Sequence, residues 1–445
     1  MYHTAHRMLR MTGLVLCLSV LVAAAPARAV QLLRDADIEY ALGQLATPIL
    51  RAAGLSPNQV RILLVNDSSL NAFIIDTQHI FIHSGLVTKL ETASQLQAVI
   101  AHEAAHIANG HISQRMGNFR TARTAAGLGL VLAAAAAAAG GGQAAAGIAI
   151  GAQSSAMRNF LSHTRAEEAS ADISSVRYMM RAGVDPQGAV EVQDLFRGQV
   201  ALSESRQDPY MRSHPLTRDR LRALKGLVAA ASERAAPDPA ANYWFARAQG
   251  KLTAFTRAPS WTLRRADGSG SADIAAMRKA VAYHRQSDLR RALSNIDAAI
   301  GMRPNDPFLR ELKGQILLES RRASDAVAVY SAAARLAPRE ALVLGGLGRA
   351  HLAAGNAGEA MRVLETARGR DFRDTRILRD LAVAYAQNGQ NAMASLVTAE
   401  RYALQGRLKD ATIHATRAEG ALARGSGPWK RAQDVLSAAQ SAGRR

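Results

Sequence analysis

Cysteine is almost missing from this chain. Its one thiol, Cys17, lies in an apolar run near the N-terminus, so the remainder has no disulfide to fold around. Aromatic residues are only 5% of the total. With alanine abundant, that argues against a sheet-rich fold and for closely packed helices. Negative charge is scarce as well: 36 acidic residues stand against 55 lysines and arginines, a formal net charge of +19. The apolar run at residues 14–24 falls short of the ~20 residues that span a bilayer.

That run has another reading. Arg7 and Arg10 precede it, and Ala27-Arg28-Ala29 follows as an A-x-A cleavage site, so residues 1–29 read as an export signal and the working chain starts near Val30. Leu16 is not the small residue that precedes a lipid-modified cysteine. Three arginines fall within residues 1–29, which leaves a net charge of +16. For an exported chain nucleic acid is not the expected partner. An anionic membrane surface or lipopolysaccharide suits the charge, and so does plain solubility.

The 445 residues divide into two or three domains. Residues 32–53 read as an amphipathic helix stopped at Gly54-Leu55-Ser56-Pro57. Residues 60–65, 71–75 and 79–83 read as short strands, the last with His79 and His83 on one face. Next comes Ala101-His102-Glu103-Ala104-Ala105-His106, the pattern HExxH, in a helical context that Asn109-Gly110 can end. Positions four apart share a helix face, so His102 and His106 reach one ion. Two imidazoles at that spacing suit Zn²⁺, and Glu103 is placed to take a proton from the water that the ion activates. An HExxH match alone also occurs on ordinary surface helices. His111 reads as an exposed residue.

Residues 124–157 are rich in alanine and glycine and uncharged over most of their length. They read as a helical hairpin near the site, with peripheral membrane contact as the alternative. Downstream, Glu168 and Asp172 lie four apart on one helix face. Alone they would be a solvated face; beside an HExxH, Glu168 can supply a third ligand and Asp172 can hold a ligand histidine by its second nitrogen. His214 precedes a proline, in an extended loop from which it can swing toward the ion, and a helix follows from Leu221. Residues 266–271 are the clearest Gly/Ser linker, and we place the boundary there. Beyond it small residues recur every 34 positions: Ala280, Gly314, Gly348 and Ala382; Ala292, Ala326, Ala360 and Ala394. That period is the tetratricopeptide (TPR) signature, and residues 429–442 read as its terminal cap.

HExxH, ExxxD some sixty residues on, a His-Pro loop and a TPR array together resemble bacterial periplasmic members of the CAAX-prenyl-protease and HtpX superfamily of zinc metallopeptidases. The resemblance implies a mainly α protein: a zincin-like domain with a small β-sheet over 30–265, then an α-solenoid of TPR repeats over 272–445. It implies one Zn²⁺ per chain on His102, His106 and Glu168, with Glu103 as general base and Asp172 as the orienting acid. His214 would coordinate the zinc in a latent state, and Arg220 of the same loop would stabilise an oxyanion. Asn71, Ala72 and Phe73, with the strand His79, Ile80, Phe81, Ile82 and His83, would form the edge strand that binds substrate. A proline-glycine turn common in the family is replaced by Asp76-Thr77-Gln78. The expected function is a periplasmic endopeptidase acting on misfolded or stalled outer-membrane proteins, docked on the outer-membrane assembly machinery through its TPR face. A chaperone or adaptor with a latent peptidase is the alternative; an integral membrane peptidase is a weaker one.

Overall fold

The β-branched residues between 61 and 83 build three of the four strands of a computed structural model, whose described residues are 32–115, 164–199, 202, 206–231, 236 and 238–443. The expected export signal (1–29) and the Ala/Gly-rich run (124–157) lie outside them. Among the described residues no helix is long and apolar enough to cross a membrane.

The strands are β1 (Leu32–Leu33), β2 (Arg61–Val65), β3 (Ala72–Ile74) and β4 (His79–His83), in the order β1-β2-β4-β3. β4 runs parallel to β2 and antiparallel to β3. It is therefore an interior strand, which corrects the reading of His79–His83 as an edge: both of its sides are already paired. β3 is the edge. The His83 amide donates to the Asn71 carbonyl at 2.9 Å. Hydrogen-bonded pairs alternate along an antiparallel ladder, so the amides and carbonyls of Leu70, Ala72 and Ile74 point away from the sheet. One face of the sheet, with Ile62, Leu64, Ala72, Ile74, Ile80 and Ile82, belongs to the main core.

Against the sheet lie α1 (Ala36–Ala52) and α3 (Ala93–Ala108), the latter preceded by α2 (Ser84–Lys89). The first helix starts four residues later than its pattern suggests, because Leu32 and Leu33 pair with β2 and Asp35 caps the helix. A capping box opens α3: Thr92 Oγ1 accepts from the Gln95 amide at 3.2 Å and Gln95 Oε1 accepts from the Thr92 amide at 3.4 Å. The helix stops at Asn109 and Gly110, whose φ of +77° suits glycine. Around α3 pack α4 (Arg165–Arg181) and α5 (Gln187–Phe196); α6 (Pro209–Ser213), α7 (Arg218–Ala230) and α8 (Pro239–Thr256) complete the domain.

After α9 (Pro259–Arg265) the sequence expects a linker, but residues 266–271 are a packed turn. Ala266 is fully buried, and Ser269 is held by Arg278 at 2.6 Å. The TPR array follows as five antiparallel pairs: α10 (Ala272–Arg285) with α11 (Leu289–Met302), α12 (Pro307–Glu319) with α13 (Ala323–Leu336), α14 (Ala341–Ala353) with α15 (Ala357–Arg370), α16 (Thr375–Gln387) with α17 (Asn391–Leu404), and α18 (Leu408–Ala421) with α19 (Gly427–Gly443). The small residues of the repeat are steric necessities. A Cβ on Gly314 would lie 2.6 Å from the Tyr330 ring, and one on Gly348 would lie 2.4 Å from Leu364 Cγ. Ala292, Ala326 and Ala360 are fully buried.

The two domains are joined by buried ions. Asp306 and Asp374 are repeat-related caps of α12 and α16. Asp306 accepts from Arg247 Nη2 at 3.0 Å, and Asp374 accepts from Arg34 Nη1 at 3.2 Å. Arg34 also reaches Asp371 (2.9 Å), and Arg247 Nε reaches Asp37 (2.7 Å). Lys251, wholly buried, faces Asp35 at 2.9 Å, with Asp37 and Glu311 at 3.7 and 3.6 Å. Removing one partner of such a pair strands the others in a dry interior. We expect Arg247→Met to lower the unfolding free energy by about 3–5 kcal/mol in urea titration; a loss under ~1 kcal/mol would refute the reading. Burial pushes the Glu311 carboxyl up to about 7, against the pull of Lys251. The folded protein thus holds this proton more tightly than the unfolded chain. The stabilisation is complete below 4.5 and is lost as pH rises through 7. Relative to Glu311→Gln, the unmodified protein should lose stability across that window.

Candidate metal centre

Helical spacing on α3 places His102 and His106 one above the other, and the same spacing on α4 does so for Glu168 and Asp172. The two helices pack face to face, so both pairs, solvated in isolation, become buried against each other. His102, His106, Glu168 and His214 offer ligand atoms that all lie within 4.8 Å of one another. The closest approaches are His102 Nε2 to His106 Nε2 at 3.2 Å, His102 Nε2 to His214 Nδ1 at 3.3 Å, His106 Nε2 to Glu168 Oε1 at 3.3 Å, and His214 Nδ1 to Glu168 Oε1 at 2.9 Å. Donors bound at 2.0–2.1 Å around a tetrahedral ion lie about 3.3 Å apart. Imidazole nitrogens cannot meet at such distances as bare lone pairs, so the set fits one divalent cation, and its nitrogen and oxygen donors suit zinc.

Charge at the centre follows from burial and pairing. Burial alone would lower His102, but Glu168 and Asp172 outweigh it and raise it to about 10. His106 is driven well below its usual value by burial despite Glu168. Glu168 is held well below the carboxylate range, against its burial, by His214 and His102. Without an ion, a proton on His102 balances the carboxylates; a cation among the same donors replaces it.

The partners of the ligands are also in place. His102 Nδ1 meets Asp172 Oδ1 at 3.2 Å, as expected for an orienting acid. His106 Nδ1 meets His111 Nδ1 at 2.9 Å. His111 is thus buried and not the exposed residue its position after Gly110 implied; only the fold reveals its partner. Arg220 is corrected too. Thr217 Oγ1 caps α7 by accepting from the Arg220 amide at 3.1 Å, which puts Arg220 in a first helical turn that begins before Leu221. Its Nε and Nη2 bind Asp172 at 2.6 and 2.9 Å, and its Nη1 reaches Glu168 Oε2 at 2.6 Å and the Pro215 carbonyl at 3.0 Å. Donors committed to two carboxylates are not left to receive an oxyanion.

Glu103 is fully buried, which raises its carboxyl, and neither oxygen has a hydrogen-bond partner. Oε1 lies 3.3 Å from His214 Nε2. His214 is held from behind by the Tyr210 ring, 4.6 Å between centroids, an aromatic that no motif marked. The same segment is fastened to the sheet edge: the Tyr210 amide donates to the Leu70 carbonyl at 3.2 Å, and the Leu70 amide donates to Asp208 at 3.3 Å. Asn71, Ala72 and Phe73 are beside this junction. His79 and His83 are not brought to the ion. His79 Nδ1 pairs with Asp76 at 2.8 Å and His83 Nδ1 with Ser69 at 3.0 Å.

If His111 fixes the tautomer of His106, its loss should weaken metal binding. We expect His111→Phe to lower zinc affinity about 10–100-fold in chelator competition. His111→Gln keeps an acceptor and should recover most of it. Equal affinity for both variants and the unmodified protein would remove His111 from the site.

Comparison with known proteins agrees with this geometry. The model of Peptidase family M48 matches residues 3–228, and two tetratricopeptide-repeat models match residues 277–341 and 317–382. The Beta-barrel assembly-enhancing protease of Escherichia coli (strain K12) is 24% identical over 396 residues, covering 85% of this chain and 78% of that protein. The protein of the same name from Yersinia pestis is 27% identical over 124 residues, 28% of this chain and 25% of its own length. Among solved structures, MamA from Desulfovibrio magneticus RS-1 is 18% identical with a TM-score of 0.32, covering 37% of this chain and 96% of that one; so slight a likeness carries no argument. The M48 match takes in the sheet, both ligand-bearing helices and the His214 loop, and covers just over half of the sequence: the chain belongs to peptidase family M48.

Proposed function

We propose that this protein is a zinc-dependent endopeptidase of the periplasm that degrades misfolded or stalled outer-membrane proteins. The observation that carries the reading is the set of donor separations around 3.3 Å on His102, His106, Glu168 and His214, beside a buried and unpartnered Glu103. Bound zinc would supply Lewis acidity, activating water near pH 7 and polarising the scissile carbonyl. Glu103 takes a proton from the attacking water and returns it to the leaving amine, a task for which its raised carboxyl is suited. Asp172 and His111 hold the two ligand histidines by their second nitrogens, and Arg220 neutralises the carboxylates behind them.

His214 closes the ligand set, so the arrangement is a latent one. Its segment also occupies the outward hydrogen-bonding groups of Leu70 at the head of β3. A substrate strand that adds to β3 at Ala72 and Ile74 competes for the same edge. Displacing Tyr210 from Leu70 withdraws His214 along with it. Entry of substrate and opening of the site are then one event.

The address and the substrate class rest on the E. coli relative, whose name ties it to β-barrel assembly, and on the sequence signal in residues 1–29. The TPR array serves to dock the peptidase on the assembly machinery. Part of its surface is already used in cis, where Arg34 and Ala36 lie against the repeats. A cavity of about 430 Å³ remains at that junction, lined by Leu33, Phe255, Glu311, Tyr330, Arg349 and Ile377.

Degradation of an unfolded model protein by His214→Ala tests the reading. The open variant should cleave faster than the unmodified protein. Adding Glu103→Gln should reduce cleavage by about 10²–10⁴-fold while zinc content stays near one per chain. If neither variant cleaves although both hold zinc, the peptidase reading fails and the adaptor reading replaces it.

A further inference from the structure

The turn between the domains carries a positive charge that nothing balances. Arg278, on α10, is 7% exposed. Its Nη1 donates to Ser269 Oγ at 2.6 Å and to the Arg265 carbonyl at 3.2 Å, while its Nε is buried without a partner. Buried guanidinium groups are ordinarily matched with a carboxylate. Here no ion pair forms among the described residues. Burial, and then the like charge of Arg265, pull the Arg278 pKa down.

Its neighbours repeat the theme. The guanidinium carbons of Arg265, Arg257 and Arg278 lie 4.8, 6.0 and 6.0 Å from the centre of the Trp261 indole. Arg257 and Arg265 are exposed and form no ion pair among the described residues. The one acid of the turn, Asp267, is exposed and engaged by Lys279 at 2.5 Å. Packing makes room for the buried arginine: a Cβ on Gly250 would lie 3.1 Å from Arg278 Cδ. None of these residues touches the metal centre or the ion network of α1.

We propose that Arg257, Arg265 and Arg278, gathered on Trp261, form a binding site for a phosphate group. Three guanidinium forks suit a phosphate, with its charge near −2 and three acceptor oxygens, better than a carboxylate with one charge and two. Arg278 is the floor of the site and the two exposed arginines are its rim. The rings of the cluster hold the forks in place, and the anion supplies the charge that the fold omits. The phosphate belongs either to a soluble phosphate ester or to the headgroup of an anionic lipid; an indole at the surface is compatible with both.

The test uses the purified protein and two probes. In about 10 mM inorganic phosphate, against chloride at equal ionic strength, Tm should rise by about 2 °C. The exposed double variant Arg257→Gln/Arg265→Gln, which alters no buried contact, should lose that rise. Arg278→Met keeps the stem that packs on Gly250 and removes the charge. It should be at least as stable as the unmodified protein in chloride and indifferent to phosphate. In the second arm, flotation with vesicles of phosphatidylglycerol and phosphatidylcholine in equal parts is compared with phosphatidylcholine alone. Vesicle binding that the double variant abolishes identifies the lipid source. A variant-sensitive Tm response without vesicle binding identifies a soluble phosphate ester. If neither probe gives a response that these substitutions remove, the proposal is overturned.

Discussion

Two carboxylates buried on one face of α4 set the terms for the peptidase domain. Glu168 is wholly buried and Asp172 nearly so. Neither charge is tolerable in a dry interior unless cations meet it from every side. The first compensation comes from α3, which brings His102 and His106. The second comes from α7, whose Arg220 binds both acids at once. Because Arg220 follows the His-Pro loop directly, its bond to α4 draws that loop over the ligands and brings His214 to the fourth position. Charge neutralisation and latency are thus consequences of a single pairing. The helices cannot separate without exposing the acids, so the ligand set is held rigid before any ion arrives.

A second charged interior joins the peptidase domain to the repeats. Helix caps recur by construction in a TPR array, one per repeat, and two of them are acids turned toward Arg34 and Arg247. The repeat period therefore presents caps at regular intervals, and the peptidase domain offers guanidinium groups to meet them. An interface of this kind is specific more than it is strong: each partner must be present, since a lone survivor is a buried charge. This makes α1 and α8 common property of both domains, and no flexible tether separates the site from the array.

Much of this was legible in the chain. Helical spacing carries its own geometry, so HExxH and ExxxD announce paired side chains on one face, and the 34-residue period announces stacked hairpins. Thr92 and Gln95 mark a helix start through contacts three residues apart. The strands at 61–65 and 79–83 were legible for the same reason. Their order was not. β3 lies outside β4 because β2 pairs with β4 across a chain reversal, and a sequence of short apolar runs does not encode which run is central.

By itself, then, the sequence determined whatever depends on neighbours a few residues apart: the ligand pairs, the caps, the repeat and the need for glycine at 314 and 348. Tertiary structure alone decided the partners of long-range charges. It turned Arg220 from a free donor into the clamp on Asp172 and Glu168, set His111 against His106, made residues 266–271 a packed turn, and left Arg278 buried among like charges. The physical reason is that the value of a buried polar group is fixed by what lies opposite it, and what lies opposite is brought there by packing, not by spacing.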